Sequence, residues 1–255
     1  MPDRYYTRFL PDHPLIAVPL SLVGAIALFV LAGHVLQTHR FGMEETAVLM
    51  FGSLFLAKGI GGALGYRKWR RARSRCIREL RLISDRELEA GGRILPCTIG
   101  RGGIRADKRE GDLATPAGQF RLMKGYFRLD RFSGDEEDGE DGGALPDSFL
   151  PFEAMTPEDG WCDDPASRHY NRPVKLPFPA HHETLWREDH IYDIVIPVDY
   201  NMHPVVKGKG SAIFLHIMRE DGAGTEGCIA LKKEDLLSLL PYLSPLTRLV
   251  VPAPA

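Results

Sequence analysis

Apolar positions follow two different patterns along the chain. Residues 15–36, LIAVPLSLVGAIALFVLAGHVL, contain no Asp, Glu, Lys or Arg. At about 1.5 Å per helical residue, the stretch 14–36 is long enough for a bilayer core of roughly 30 Å and too long for a signal-peptide core. It predicts a transmembrane helix, in which Pro19 is tolerated. A second run, 46–66, holds Lys58 and five glycines. It reads either as a second span, its glycines allowing close helix approach, or as an interfacial helix, because a mid-run lysine is costly in lipid.

The segment RKWRRARSR (67–75) follows, and in 72–90 the residues Ile77, Leu80 and Leu82 lie among Arg and Glu. This predicts a basic, amphipathic helical linker ended by Gly91-Gly92. From Arg93 the pattern changes to short strand-like runs separated by Gly and Pro, at 93–100, 118–127, 191–198 and 211–218. A helix is predicted over 232–243, broken near Pro241, and a closing strand over 248–253. The expected organisation is a membrane anchor over 1–66, a linker over 67–92 and a folded domain over 93–252. The fold class is mainly β (α+β), a sandwich or barrel with one or two short helices.

Composition narrows the function classes. The 255 residues are 44% hydrophobic and 26% charged with a net charge of −2. That balance lacks the basic footprint of a nucleic-acid binder. Charge is local: 67–75 is basic, and 133–145 is an acidic, Gly-rich stretch read as an exposed loop. Cys76, Cys97, Cys162 and Cys228 form no CxxC pair or Cys/His ladder, so no metal site is expected. The first three read as small buried hydrophobes.

The chemistry concentrates in SAIFLHIMREDGAGTEGCIALKKEDLLSLL (211–240), where an apolar strand carries His216, a Gly-rich loop follows, and Cys228 precedes a helix. A thiolate is a nucleophile, and a nearby imidazole can take its proton. Gly227 allows a sharp turn, and the backbone N–H groups of Gly227 and Cys228 can face an oxyanion. The Thr225 hydroxyl is placed to orient His216 as the third group of a triad. Taken alone, this Cys and His read equally well as a core thiol in a βα turn and a satisfied strand-end imidazole.

The stretch from His216 to Leu231 resembles the signature of the L,D-transpeptidase (YkuD-like) family: a His after an apolar strand, a Gly-rich loop, then Ser/Thr-His-Gly-Cys, an aliphatic residue and usually Arg. This chain has Thr225, Glu226, Gly227, Cys228, Ile229 and Ala230. Upstream, Thr115, Pro116, Gly118 and Phe120 resemble the family's ThrPro-x-Gly-x-Phe turn. Glu226 and Ala230 depart from the usual His and Arg, which resembles a divergent branch. The resemblance implies an L,D-transpeptidase-like β fold acting on peptidoglycan stem peptides without a cofactor. In it, Cys228 attacks the carbonyl before a terminal D-alanine, and D-alanine leaves with a proton from His216. An amine of a second peptide, or water, then resolves the thioester. Two rivals stay open: a carboxypeptidase or murein hydrolase of the same fold, and a non-catalytic wall-binding module.

Trp161, Tyr170 and Asn171 in the 157–177 segment, together with Tyr200, Asn201 and Glu226, are the candidate substrate-facing residues. Arg187, Asp189, His190 and Tyr192 lie near the strand before the site. The family's substrate implies a periplasmic domain on the bacterial inner membrane, held to lipid by the N-terminal segment. The basic stretch 67–75 pulls the other way, since positive charge near a span tends to stay cytoplasmic.

Overall fold

In the computed structural model, residues 25–31, 34, 49, 53, 75–132 and 145–254 are described. The chain divides into two compact units, Met1–Arg75 and Cys76–Ala255. In the first, residues 25–31, 34, 49 and 53 are helical. The expected transmembrane anchor is corrected here: among the described residues, no helix is long and apolar enough to cross a membrane. The remainder of 14–36 and 46–66, the basic stretch 67–74 and the acidic stretch 133–144 lie outside the described residues. Lipid contact through the N-terminus and the inner-membrane location rested on those spans and are withdrawn with them.

The second unit is mainly β, as its strand-like runs predicted. Its strands are β1 Glu79–Ser84, β2 Glu87–Ala90, β3 Arg93–Thr98, β4 Ile104–Arg105, β5 Thr115–Pro116, β6 Gly118–Arg121, β7 Gly125–Phe127 and β8 Phe152–Ala154. They continue as β9 Asp159–Cys162, β10 Arg172–Lys175, β11 His182–Thr184, β12 Ile194–Pro197, β13 Phe214–Ile217, β14 Ile229–Leu231 and β15 Arg248–Val251. A helix, α1 (Lys233–Leu239), continues into a 3₁₀ turn at Leu240–Tyr242. Ten strands form one sheet in the order β6-β15-β1-β2-β3-β14-β13-β12-β7-β8, and β10-β9-β11 and β4-β5 form two smaller sheets.

Where a helical linker was expected over 72–90, the residues 79–90 form a β-hairpin. Leu80, Leu82, Leu88 and Ala90 are buried and their neighbours Glu79, Arg81, Glu87 and Glu89 are not, the two-residue period of a strand. Gly91 and Gly92 (φ 59° and 83°) do not end a helix; they make the two-residue turn that pairs Ala90 with Arg93.

The central strands β12, β13 and β14 are buried along their whole length. Side chains alternate across the sheet, so Leu215, Ile217, Ile229 and Leu231 enter one core, with Leu236 and Leu239 of α1. Phe214, Val195 and Cys228 enter a second core, with Trp161, Leu185 and Tyr192. A sheet covered on both faces gives strands that read as continuous apolar runs. The candidate site lies on the second face.

Candidate active site

Parallel pairing of β13 with β14 brings the two chemistry-bearing residues together. The register sets Leu215 opposite Ile229 and His216 opposite Ala230, which places Cys228, at the entry to β14, beside Phe214. Cys228, beside Phe214, and His216, two residues further along β13, therefore project from the same face of the sheet. Both are buried, at 7% and 4% exposure.

The thiol donates to the carbonyl of Ala212 (3.2 Å) and accepts from the N–H of Phe214 (3.3 Å). Burial pushes its pKa up to about 12; the Phe214 N–H opposes the rise, Glu183 adds to it, and Lys108 lowers it. His216 is moved the other way, down to about 4, again first by burial, with the Ile217 carbonyl opposing the shift. At neutral pH both groups are uncharged. His216 Nδ1 lies 2.8 Å from the Ile217 carbonyl. A carbonyl can only accept, so Nδ1 carries the proton and Nε2 the lone pair. The Tyr192 ring packs edge-on against the imidazole, with centroids 5.2 Å apart.

Thr225 sits elsewhere than the triad expectation put it. Its hydroxyl donates to the Cys228 carbonyl (2.7 Å) and accepts from the Gly227 N–H (3.1 Å). It shapes the turn before Cys228, and the Ile217 carbonyl is the group that orients the imidazole. The same contact takes up the Gly227 N–H, one of the two donors expected to face an oxyanion. Gly227 has φ 135°, and a Cβ there would meet the Ala114 carbonyl at 2.8 Å, so this turn requires glycine. The loop is pinned at Thr225, whose N–H donates to the Ile99 carbonyl (2.8 Å) and whose carbonyl accepts from the Arg101 N–H (2.9 Å). Buried Thr115, of the Thr-Pro turn, accepts from Gly100 N–H (2.9 Å), and its hydroxyl lies 3.4 Å from the Cys228 carbonyl.

Trp161, Tyr170 and Asn171 were expected to wall a substrate groove; all three are 2–3% exposed. Asn171 Oδ1 accepts from Trp161 Nε1 (3.0 Å) and from the Ala212 N–H (3.2 Å), and its amide donates to the carbonyls of Tyr200 and Asn201 (3.0 and 2.9 Å). Asn171 thus holds the backbone residue whose carbonyl receives the thiol proton. The Tyr170 hydroxyl donates to Glu110, accepts from Gly210 N–H (3.0 Å), and shares Glu110 with the Ser211 hydroxyl (2.6 Å). Tyr200 packs edge-on against Phe120 and donates to the Lys209 carbonyl. Asn201 brackets the 206–210 loop through bonds to Val206 and Gly210. Glu226 is the exposed member, paired with Arg101 at 2.8 Å.

A family model described as the L,D-transpeptidase catalytic domain matches residues 82–251. The chain belongs to this family. Membership implies catalysis of the L,D-transpeptidase type on peptidoglycan. The match begins inside β1, so the hairpin read as a linker is part of the L,D-transpeptidase domain. No curated protein and no solved structure matches the chain.

Groups that sequence reasoning passed over also surround Cys228 and His216. The carbonyls of Ala212 and Ile217 leave no side-chain signature. Lys108, Glu110 and Asp112 belong to the charged stretch DKREGD (107–112), whose mixture of both signs in a loop was the available signal. Glu183, on β11, is raised in pKa by burial and faces Tyr192. Among the described residues, no group of three or more His, Cys, Asp or Glu is arranged to hold a metal. All four cysteines are buried and none is disulfide-bonded.

Proposed function

We propose that this domain transfers acyl groups of peptidoglycan stem peptides through a thioester on Cys228, with His216 as general base and then general acid. The observation that carries the reading is the β13–β14 register, which puts a buried thiol and an imidazole with a fixed tautomer on one sheet face. The thiol turns from the Ala212 carbonyl to Nε2, gives up its proton and attacks the carbonyl that precedes D-alanine. The C–N bond breaks, D-alanine leaves with the proton from His216, and an amine or water then displaces the thiol. The pair rests neutral, with the His216 lone pair free to accept the thiol proton.

The substrate reading draws support from the family match over residues 82–251. Glu226 and Ala230 mark a divergent branch of the family in which acceptor contacts differ. Ala230 is buried between His216 and Thr98 in the sheet, and Glu226 is tied to Arg101. That favours hydrolysis, a carboxypeptidase outcome, as the second reading.

Product analysis after incubation with tetrapeptide muropeptides tests both. Cross-linked dimers, absent with Cys228→Ala, establish the transpeptidase. Loss of D-alanine without dimers establishes the carboxypeptidase, and no product from either protein refutes both.

A further inference from the structure

A buried ammonium lies beside the nucleophile's turn. Lys108 is 3% exposed. Its Nζ bonds to Asp112 Oδ1 (2.6 Å) and to the Arg109 carbonyl (3.3 Å), which places two of its three donors. Asp112 is itself fixed by the N–H groups of Arg109 (2.8 Å) and Ala114 (3.0 Å). The lysine passes beneath two glycines with positive φ. A Cβ on Gly210 would stand 3.0 Å from Lys108 Cε, and one on Gly227 would stand 3.5 Å from Nζ. The missing side chain next to Cys228 is therefore the space that the ammonium approaches.

Burying an ammonium costs several kcal/mol unless it is well paired, and an apolar pair of similar volume often serves stability as well. A purely structural role gives no reason to aim that charge at the residue preceding the nucleophile. Around the thiol, Glu183 and Glu226 oppose the anion and Lys108 favours it. Tyr192 and His216 complete the titratable groups that face it.

We propose that Lys108, held by Asp112, is a positioning residue that stabilises negative charge on the Cys228 turn, first the thiolate and then the oxyanion of the acyl-transfer step. The inference rests on Cys228 being the nucleophile. It also assigns the electropositive role that Gly227 N–H, bonded to Thr225, does not fill.

The test is the pH dependence of Cys228 alkylation by iodoacetamide in the full chain, read by peptide mass mapping. It compares wild type, Lys108→Met, the double variant Lys108→Met/Asp112→Asn, and Lys108→Arg. The double variant removes the carboxylate that the single one would strand, and far-UV circular dichroism verifies its fold. Loss of Lys108 raises the apparent thiol pKa, slowing alkylation at neutral pH about tenfold or more, and arginine restores the rate to within about threefold. Superimposable profiles for wild type and the folded double variant overturn the proposal. So does a Cys228 that resists alkylation in every variant at alkaline pH. The readout uses no peptide, so it reports the effect of Lys108 on the Cys228 thiol separately from any failure to process muropeptides, which would count against the proposed function.

Discussion

Replacing His216 with Asn should remove a specific acid sensitivity from the domain. Asn keeps a donor for the Ile217 carbonyl, which His216 Nδ1 approaches at 2.8 Å, and takes away the titrating group. Burial lowers the imidazole from 6.5 to about 4 in the folded protein. Between those values the unfolded chain binds more protons than the folded one. This contribution is therefore complete above pH 6.5 and is lost as pH falls toward 4. Integration gives a loss of about 2 kcal/mol between about pH 7 and pH 4.5, approaching about 3 kcal/mol at lower pH. Urea unfolding of the full chain, followed by tryptophan fluorescence with buried Trp161 as reporter, measures it at both pH values. Titrations common to both proteins cancel in the comparison. The wild type should lose about 2 kcal/mol more than His216→Asn over that interval. Equal losses would mean that His216 is not buried as a neutral base, and the general-base argument would fail with it.

Two further substitutions probe the scaffold beneath the nucleophile. Gly227→Ala places a Cβ 2.8 Å from the Ala114 carbonyl at φ 135°; it should cost about 2 kcal/mol or more in a thermal melt and abolish turnover, whereas an unchanged melting point would refute the turn geometry. Asn171→Leu strands the Trp161 and Ala212 N–H donors; it should cost about 3 kcal/mol and slow Cys228 alkylation by loosening the Ala212 carbonyl, and a loss under about 1 kcal/mol would contradict its placement.

Much of the domain was legible because its signals are local. The strand-like runs at 93–100, 191–198 and 211–218 contain the strands Arg93–Thr98, Ile194–Pro197 and Phe214–Ile217, and α1 opens with acidic Glu234 and Asp235. The β1–β2 hairpin was misread because Ile77 and Leu80 are three apart, while the strand period lies in Leu80, Leu82, Leu88 and Ala90. Gly91-Gly92 serves equally as a helix stop or a hairpin turn, so it could not arbitrate. The apolar run 14–36 met the composition criteria for a span, yet among the described residues no helix is long and apolar enough to cross a membrane.

At the site, Cys228 and His216 were singled out by resemblance to the family signature, because residue type and spacing alone left a core thiol and a strand-end imidazole equally open. Their partners were less legible, because backbone carbonyls carry no sequence signal and side chains in a loop do not reveal which way they point. Trp161, Tyr170 and Asn171 look like a ligand wall in sequence, since aromatic and amide groups serve binding and buried scaffolding alike. Only the bonds of Asn171 to Trp161 and Ala212 separate the two. Lys108 sits in a stretch that reads as solvated charge, and long-range packing against Gly210 and Gly227 buries it.

The most direct test of the central claim is the mass of the Cys228 peptide after rapid quenching of the protein with a tetrapeptide muropeptide. The account predicts an adduct equal to the donor lacking D-alanine, borne by Cys228, released by hydroxylamine, and about a hundredfold slower to form in His216→Asn. Release of D-alanine with Cys228 unmodified, or with Cys228→Ala fully active, would contradict it.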